Sequence, residues 1–104
     1  VHEIFDQNGI DYEVKWHLSG EPFLTKPGHL IDSAVKAISE TTGKEPVLST
    51  GGGTSDGRFI SPAGVDVVEI GPVNASIHKI DEHVKVEDVI QLTEIYSKIL
   101  KLLL

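Results

Sequence analysis

Between residues 11 and 30 the spacing of apolar residues changes, and that change constrains the fold more than any other feature of the chain. Residues 11–18, Asp-Tyr-Glu-Val-Lys-Trp-His-Leu, alternate polar and apolar without a break. A period of two puts Tyr12, Val14, Trp16 and Leu18 on one face and the charges on the other, as in a strand of a sheet wetted on one side. Residues 19–27 then carry two prolines and a glycine, which fix φ and bias the preceding residues to extended backbone, so a connector is expected. From residue 30 the period becomes helical. Leu30, Ile31, Ala34, Val35, Ala37 and Ile38 form one stripe over residues 30–42, and Gly43 stands where a helix-ending glycine belongs.

A second helix is expected over residues 86–104. Glu87 and Asp88 fall in its first turn and Lys98 and Lys101 near its end, in agreement with the helix dipole. Its apolar residues, among them Val89, Ile90, Ile95, Tyr96, Ile99 and Leu100, wrap most of the way round, so burial on more than one side is expected. Residues 65–70 are denser in β-branched residues and less cleanly alternating than 11–18, and 47–48 are similar but short. Both read as strands of a sheet covered on two faces. Residues 1–9 read as the last turns of a helix ended by Gly9. The expected fold class is α/β: after the connector, the order helix, strand, Gly-rich turn, strand, loop, helix is the closing half of a layered α/β domain.

Composition narrows the function. The chain has 104 residues and a net charge of −7, and its few lysines are scattered, so a nucleic-acid-binding surface is not expected. No apolar run approaches the roughly 20 residues that span a bilayer, so no membrane partner is expected either. With no cysteine there are no thiolate metal ligands or disulfides. Val1 in place of a start methionine, and the helix end that opens the chain, favour a piece of a larger protein.

The chemically dense part is Ser49-Thr50-Gly51-Gly52-Gly53-Thr54-Ser55-Asp56-Gly57-Arg58-Phe59, followed by Gly71-Pro72-Val73-Asn74-Ala75-Ser76-Ile77-His78. Two phosphate motifs fail on it. No lysine follows a glycine at P-loop spacing, and the dinucleotide pattern started at Gly51 ends on Asp56 instead of glycine. A plain turn remains open for the glycines, but Thr54, Ser55 and Asp56 at a strand's end can cap a helical turn while a hydroxyl stays free for ligand. Asp56 and Arg58 have each other as an ordinary ion-pair choice, and Asn74 after Gly71-Pro72 suits a turn. His78 on its own reads equally as a surface residue or a ligand. His2, His17, His29 and His83 take the ordinary surface or hydrogen-bonded reading.

Taken together, Gly-Gly-Thr-Ser-Asp-Gly-Arg-Phe-Ile and the Asn74…His78 stretch resemble the C-terminal part of the aminoacylase and carboxypeptidase-like family of di-zinc amidohydrolases. Trp16-His17-Leu18-Ser19-Gly20-Glu21-Pro22-Phe23-Leu24-Thr25 also resembles that family, so the likeness covers the whole chain. The Gly-Pro-x-Asn-x-x-x-His spacing is closest to a branch acting in bacterial lysine and diaminopimelate synthesis. The resemblance implies a zinc-hydrolase catalytic domain interrupted by a smaller α+β dimerisation domain. Residues 1–18 would end the dimerisation (lid) domain, and residues 19–104 would be the C-terminal part of the catalytic domain. It implies His78 as the last metal ligand, with Ser19, Gly53, Thr54 and Asn74 contacting substrate and Asp56 and Arg58 shaping the loop. It also implies two zinc ions per subunit, with cobalt able to serve, a small-molecule substrate, a homodimer and a cytoplasmic location. The remaining ligands and the general base would lie outside these residues, so no catalytic residue is assigned here and the chain alone is expected to be inert. Two other readings stay open: a related di-zinc peptidase or deacylase, and a non-catalytic α/β module that associates through the face of residues 11–18.

Overall fold

A computed structural model describes residues 1–51, 53, 55–73 and 75–104. Its elements are α1 (His2–Gln7), α2 (His29–Thr42), α3 (Gly57–Ile60) with a 3-10 turn at Ser61–Ala63, and α4 (Val86–Leu103).

Local chemistry accounts for the helix ends. The Gly28 carbonyl accepts the Asp32 N–H at 3.0 Å to open α2, and Asp32 sits in the first turn, where the dipole favours a negative charge. At the other end Gly43 has φ 69°, a left-handed conformation that stops the helix while its N–H still reaches the Ser39 carbonyl at 2.9 Å. The Thr42 hydroxyl donates to the Ile38 carbonyl at 2.8 Å and accepts the Lys44 N–H at 3.1 Å, which ties the chain beyond Gly43 back to the last turn. For α4 the extended Lys85 presents its carbonyl to Asp88 N–H at 3.2 Å and Val89 N–H at 3.4 Å.

The core lies where α2 meets α4. Ala34 and Ala37 on one helix face Ile95 and Ile99 on the other, all four buried, and Ala37 is fully so. Two small residues on α2 let the helices approach closely enough for the isoleucines to fill the seam. Ile38, Val68, Ile70, Leu102 and Leu103 pack around it. The all-round apolarity of α4 is thus only partly used, since Val86, Val89, Ile90, Tyr96, Leu100 and Leu104 are exposed.

The expected strands at residues 11–18, 47–48 and 65–70 do not form among the described residues, and this corrects the α/β reading for the chain taken by itself. A strand exists through a neighbour that takes up its N–H and C=O groups, and these segments find none. Residues 65–70 come nearest. Val68 and Ile70 face the helix pair as alternate residues of a strand would. The Thr25 hydroxyl accepts the Val67 N–H at 3.0 Å and donates to the Val67 carbonyl, so one side chain replaces one rung of a ladder. Tyr96 O–H donates to the Ile70 carbonyl at 2.7 Å and fixes the far end.

Residues 1–18 form a separate small cluster. Phe5 and Tyr12 stack at 4.7 Å between ring centroids, and the Tyr12 O–H donates to Asp6 Oδ1 at 3.1 Å while accepting from His2 Nδ1 at 2.9 Å. Beyond it Trp16 and Leu18 are exposed at 78% and 72%, so the apolar face expected of residues 11–18 is mostly uncovered. The radius of gyration is 19.0 Å, against about 13 Å for a compact chain of this length. The accessible surface of 8638 Å² likewise exceeds the roughly 5,700 Å² of a compact protein of this mass. Among the described residues no helix is long and apolar enough to cross a membrane.

Candidate functional site

The Gly-rich run is held from its own hydroxyls. Ser49 Oγ accepts the Gly51 N–H at 2.9 Å, and Ser55 Oγ accepts the Gly57 N–H at 3.2 Å at the entrance of α3. Ser55 therefore does the capping; Asp56, in the N-cap position, contributes only its backbone, whose carbonyl accepts the Phe59 N–H at 3.0 Å. Gly53 is exposed, and a Cβ built on it would meet nothing within 4 Å. No neighbour in the described structure therefore requires glycine at 53, which leaves its backbone open to approach. The expectation for Thr54 lies outside the described residues.

The connector meets this loop at two glycines. A Cβ on Gly57 would sit 2.6 Å from Phe23 Cζ and 3.0 Å from Val67 Cγ1, so only glycine lets the start of α3 lie against the Phe23 ring. A Cβ on Gly20 would sit 2.7 Å from Arg58 Cδ. Ser19 is exposed and directly precedes Gly20. Among the described residues Arg58 makes no ion pair with Asp56; its guanidinium lies 4.6 Å above the Phe59 ring instead. Arg58 Nε is buried without a partner among the described residues.

The second half of the site is the loop of residues 75–83. Ser76 is buried, and its hydroxyl donates to the His83 carbonyl at 2.7 Å while accepting the His83 N–H at 3.0 Å. The Lys79 N–H donates to the Ser76 carbonyl at 3.0 Å, closing a turn in which His78 takes φ 59°. Asp81 also has φ 59°, and its carbonyl accepts from His83 Nδ1 at 2.6 Å, which makes that nitrogen the protonated one. The His78 ring is exposed and makes no hydrogen bond among the described residues. The expectation for Asn74 lies outside the described residues.

Three or more His, Cys, Asp or Glu side chains gather nowhere among the described residues. Among the described residues His78 therefore does not belong to a metal centre made by this chain alone. The other histidines keep ordinary roles: His2 bonds Tyr12, His83 bonds its own loop, His17 is exposed, and His29 opens α2. Sequence reasoning did not find the Ser76 clasp. A serine in a polar loop carries no sign that its partner stands seven residues on.

Residues 4–102 match the pattern of Peptidase family M20/M25/M40. A succinyl-diaminopimelate desuccinylase of Thioalkalivibrio sulfidiphilus is 60% identical over all 104 residues, which cover 28% of that protein. Proteins of the same name from Marinobacter nauticus and Acinetobacter baumannii (strain AYE) are each 57% identical, over 96% and 100% of this chain and 27% and 28% of their own lengths. The chain therefore spans little more than a quarter of the length of these relatives. With nearly every residue inside the matched span, the chain belongs to Peptidase family M20/M25/M40.

Proposed function

We propose that the chain is a segment of a zinc-dependent hydrolase that cleaves the amide of N-succinyl-LL-2,6-diaminopimelate to succinate and LL-2,6-diaminopimelate. The observation that carries this reading is the 57–60% identity, along essentially the whole chain, to proteins named succinyl-diaminopimelate desuccinylase. In this reading residues 1–18 close a dimerisation domain of a cytoplasmic homodimer, and residues 19–104 are the C-terminal part of its catalytic domain. The self-contained cluster of α1 with Tyr12 supports that division.

Within the site, His78 gives a neutral imidazole nitrogen to one of two metal ions. Its exposed ring supports the assignment, and imidazole suits zinc and also cobalt. A bound metal pair supplies a Lewis acid and lowers the pKa of a shared water. The chain's own residues bind and orient the substrate. The exposed Gly53 and the neighbouring Thr54 offer backbone and hydroxyl donors to an anionic substrate or to negative charge developing on the amide oxygen. Asn74 adds an amide, and Ser19, next to the Gly20 that packs on Arg58, reaches the far end of the substrate.

The test is an exchange: this chain replaces the matching 104 residues of the T. sulfidiphilus relative. The hybrid should hydrolyse the succinyl substrate in preference to acetyl analogues. His78→Ala in the hybrid should lose a metal ion and reduce kcat by more than the 10–100-fold typical of outer-shell partners. Two bound metals with full activity in that variant, or preferred turnover of acetyl substrates, would overturn the reading.

A further inference from the structure

We propose that Ser76 is a positioning residue for the metal site, holding His78 in its ligating geometry through a clasp on His83; this rests on the reading of His78 as a ligand. The turn around His78 is closed by the Lys79 N–H on the Ser76 carbonyl at 3.0 Å, and His78 occupies its third position with φ 59°. Positive φ is uncommon outside glycine, and although asparagine, aspartate and histidine take it more often than other residues, it remains a minority conformation that the rest of the loop must hold. Asp81 repeats the same conformation three residues later. A loop with two such residues does not keep one shape on local preference alone.

Ser76 supplies the missing constraint. Its hydroxyl is the one group in the loop that both donates and accepts across it, at 2.7 Å to the His83 carbonyl and 3.0 Å to the His83 N–H. The residue is only 8% exposed, so water does not readily replace either bond. Closure fixes the two ends of residues 76–83 and leaves the His78 ring turned outward, with its conformational freedom lost before any metal arrives. Two further bonds reinforce the loop: Lys79 Nζ donates to the Ala75 carbonyl at 2.9 Å and His83 Nδ1 to the Asp81 carbonyl at 2.6 Å. The Lys79 bond also brackets the His78 turn, but through an exposed lysine end, whereas the Ser76 clasp is buried and made by two bonds. A side chain of this size that donates and accepts at once is serine or threonine; alanine does neither.

The experiment uses the full-length hybrid with the T. sulfidiphilus relative, carrying Ser76→Ala, Ser76→Thr or His78→Ala. Zinc affinity is read by chelator competition, the coordination sphere by the visible spectrum after cobalt substitution, and kinetics as kcat and KM separately. Ser76→Ala should weaken one metal by about 10–100-fold, shift the cobalt spectrum and lower kcat with KM nearly unchanged. Ser76→Thr should restore all three. If His78→Ala keeps both metals and the cobalt spectrum, the ligand reading itself fails. If His78→Ala loses a metal while Ser76→Ala changes neither affinity nor spectrum, only the positioning role fails. Should Ser76→Ala not fold, Ser76→Cys, with similar volume and a weak S–H donor, takes its place and must show the same metal losses. Failure of that variant to fold as well would overturn positioning in favour of a purely structural role.

Discussion

Replacing Gly57 with alanine tests how closely the connector is fitted to the start of α3. The new methyl would lie 2.6 Å from Phe23 Cζ, 3.1 Å from Phe23 Cε1 and 3.0 Å from Val67 Cγ1, well inside van der Waals contact. Phe23 is a rigid ring and Val67 is tied to Thr25 on both its backbone groups, so neither yields easily. Overpacking of this kind costs about 1–3 kcal/mol. Alanine in place of glycine in a helical turn returns about 0.5–1 kcal/mol, because the unfolded chain loses freedom. The net cost is then about 1–2 kcal/mol, read as a fall in the urea midpoint of about 1 M for a chain of this size by circular dichroism. Gly20→Ala is the internal comparison. Its methyl would meet Arg58 Cδ at 2.7 Å, part of a flexible side chain, so its cost should stay within about 0.5 kcal/mol. Phe23→Leu removes the ring atoms that clash and leaves only the 3.0 Å approach to Val67 Cγ1, so in that background Gly57→Ala should cost clearly less. Equal costs at Gly20 and Gly57, or a Gly57→Ala cost unaffected by Phe23→Leu, would refute the close fit of ring and glycine.

Three further outcomes follow from the chain. Burial and, secondarily, the bond to Asp6 raise the Tyr12 phenol pKa above its usual value, so the fold favours the neutral phenol. That stabilisation is complete below the unfolded value of about 10 and is lost as pH rises through the higher folded value; Asp6→Ala should lower the titration seen by carbon NMR of the Tyr12 ring part of the way, and no change would remove Asp6 as a cause. Ile99→Ala opens the seam against Ala34 and Ala37 and should cost about 2–3 kcal/mol in thermal or urea unfolding, the lower part of the core range because α4 is open on its outer side; a cost below 1 kcal/mol would show the seam is not the core. The 104-residue chain with added zinc should show no hydrolysis of the succinyl substrate, since among the described residues no three ligands gather. Measurable turnover would contradict that.

The two long helices were readable from the sequence to within about a residue because their information is local. The stripe of residues 30–42 became α2 at His29–Thr42, and residues 86–104 became α4 at Val86–Leu103, each ending where glycine or the charge pattern indicated. The strands were not, because period-two patterning states which face is apolar but not that a partner exists. Val68 and Ile70 still take the burial that the pattern asked of them, without a ladder. The same contrast divides the site. His78 stood out through the residues around it, whereas the contacts that shape its surroundings join Ser76 to His83 and Thr25 to Val67, 42 residues apart, with no motif to mark them. Asp56 and Arg58 look like a pair on paper, but the aromatic ring next door takes Arg58 instead.

The seam between α2 and α4 joins segments on either side of both candidate loops, so it closes one long loop containing the Gly-rich run and residues 75–83. Local bonds shape each loop, but bringing the two together depends on that distant contact, which places their joint arrangement late in folding. Mass action then runs the other way as well. A ligand that binds only the ordered loops stabilises the seam by RT ln(1 + [L]/Kd), although it touches neither Ala37 nor Ile99. Affinity for any ligand of these loops and helix pairing are therefore one linked equilibrium: a substitution in the seam that leaves every loop residue in place will still be felt as weaker binding.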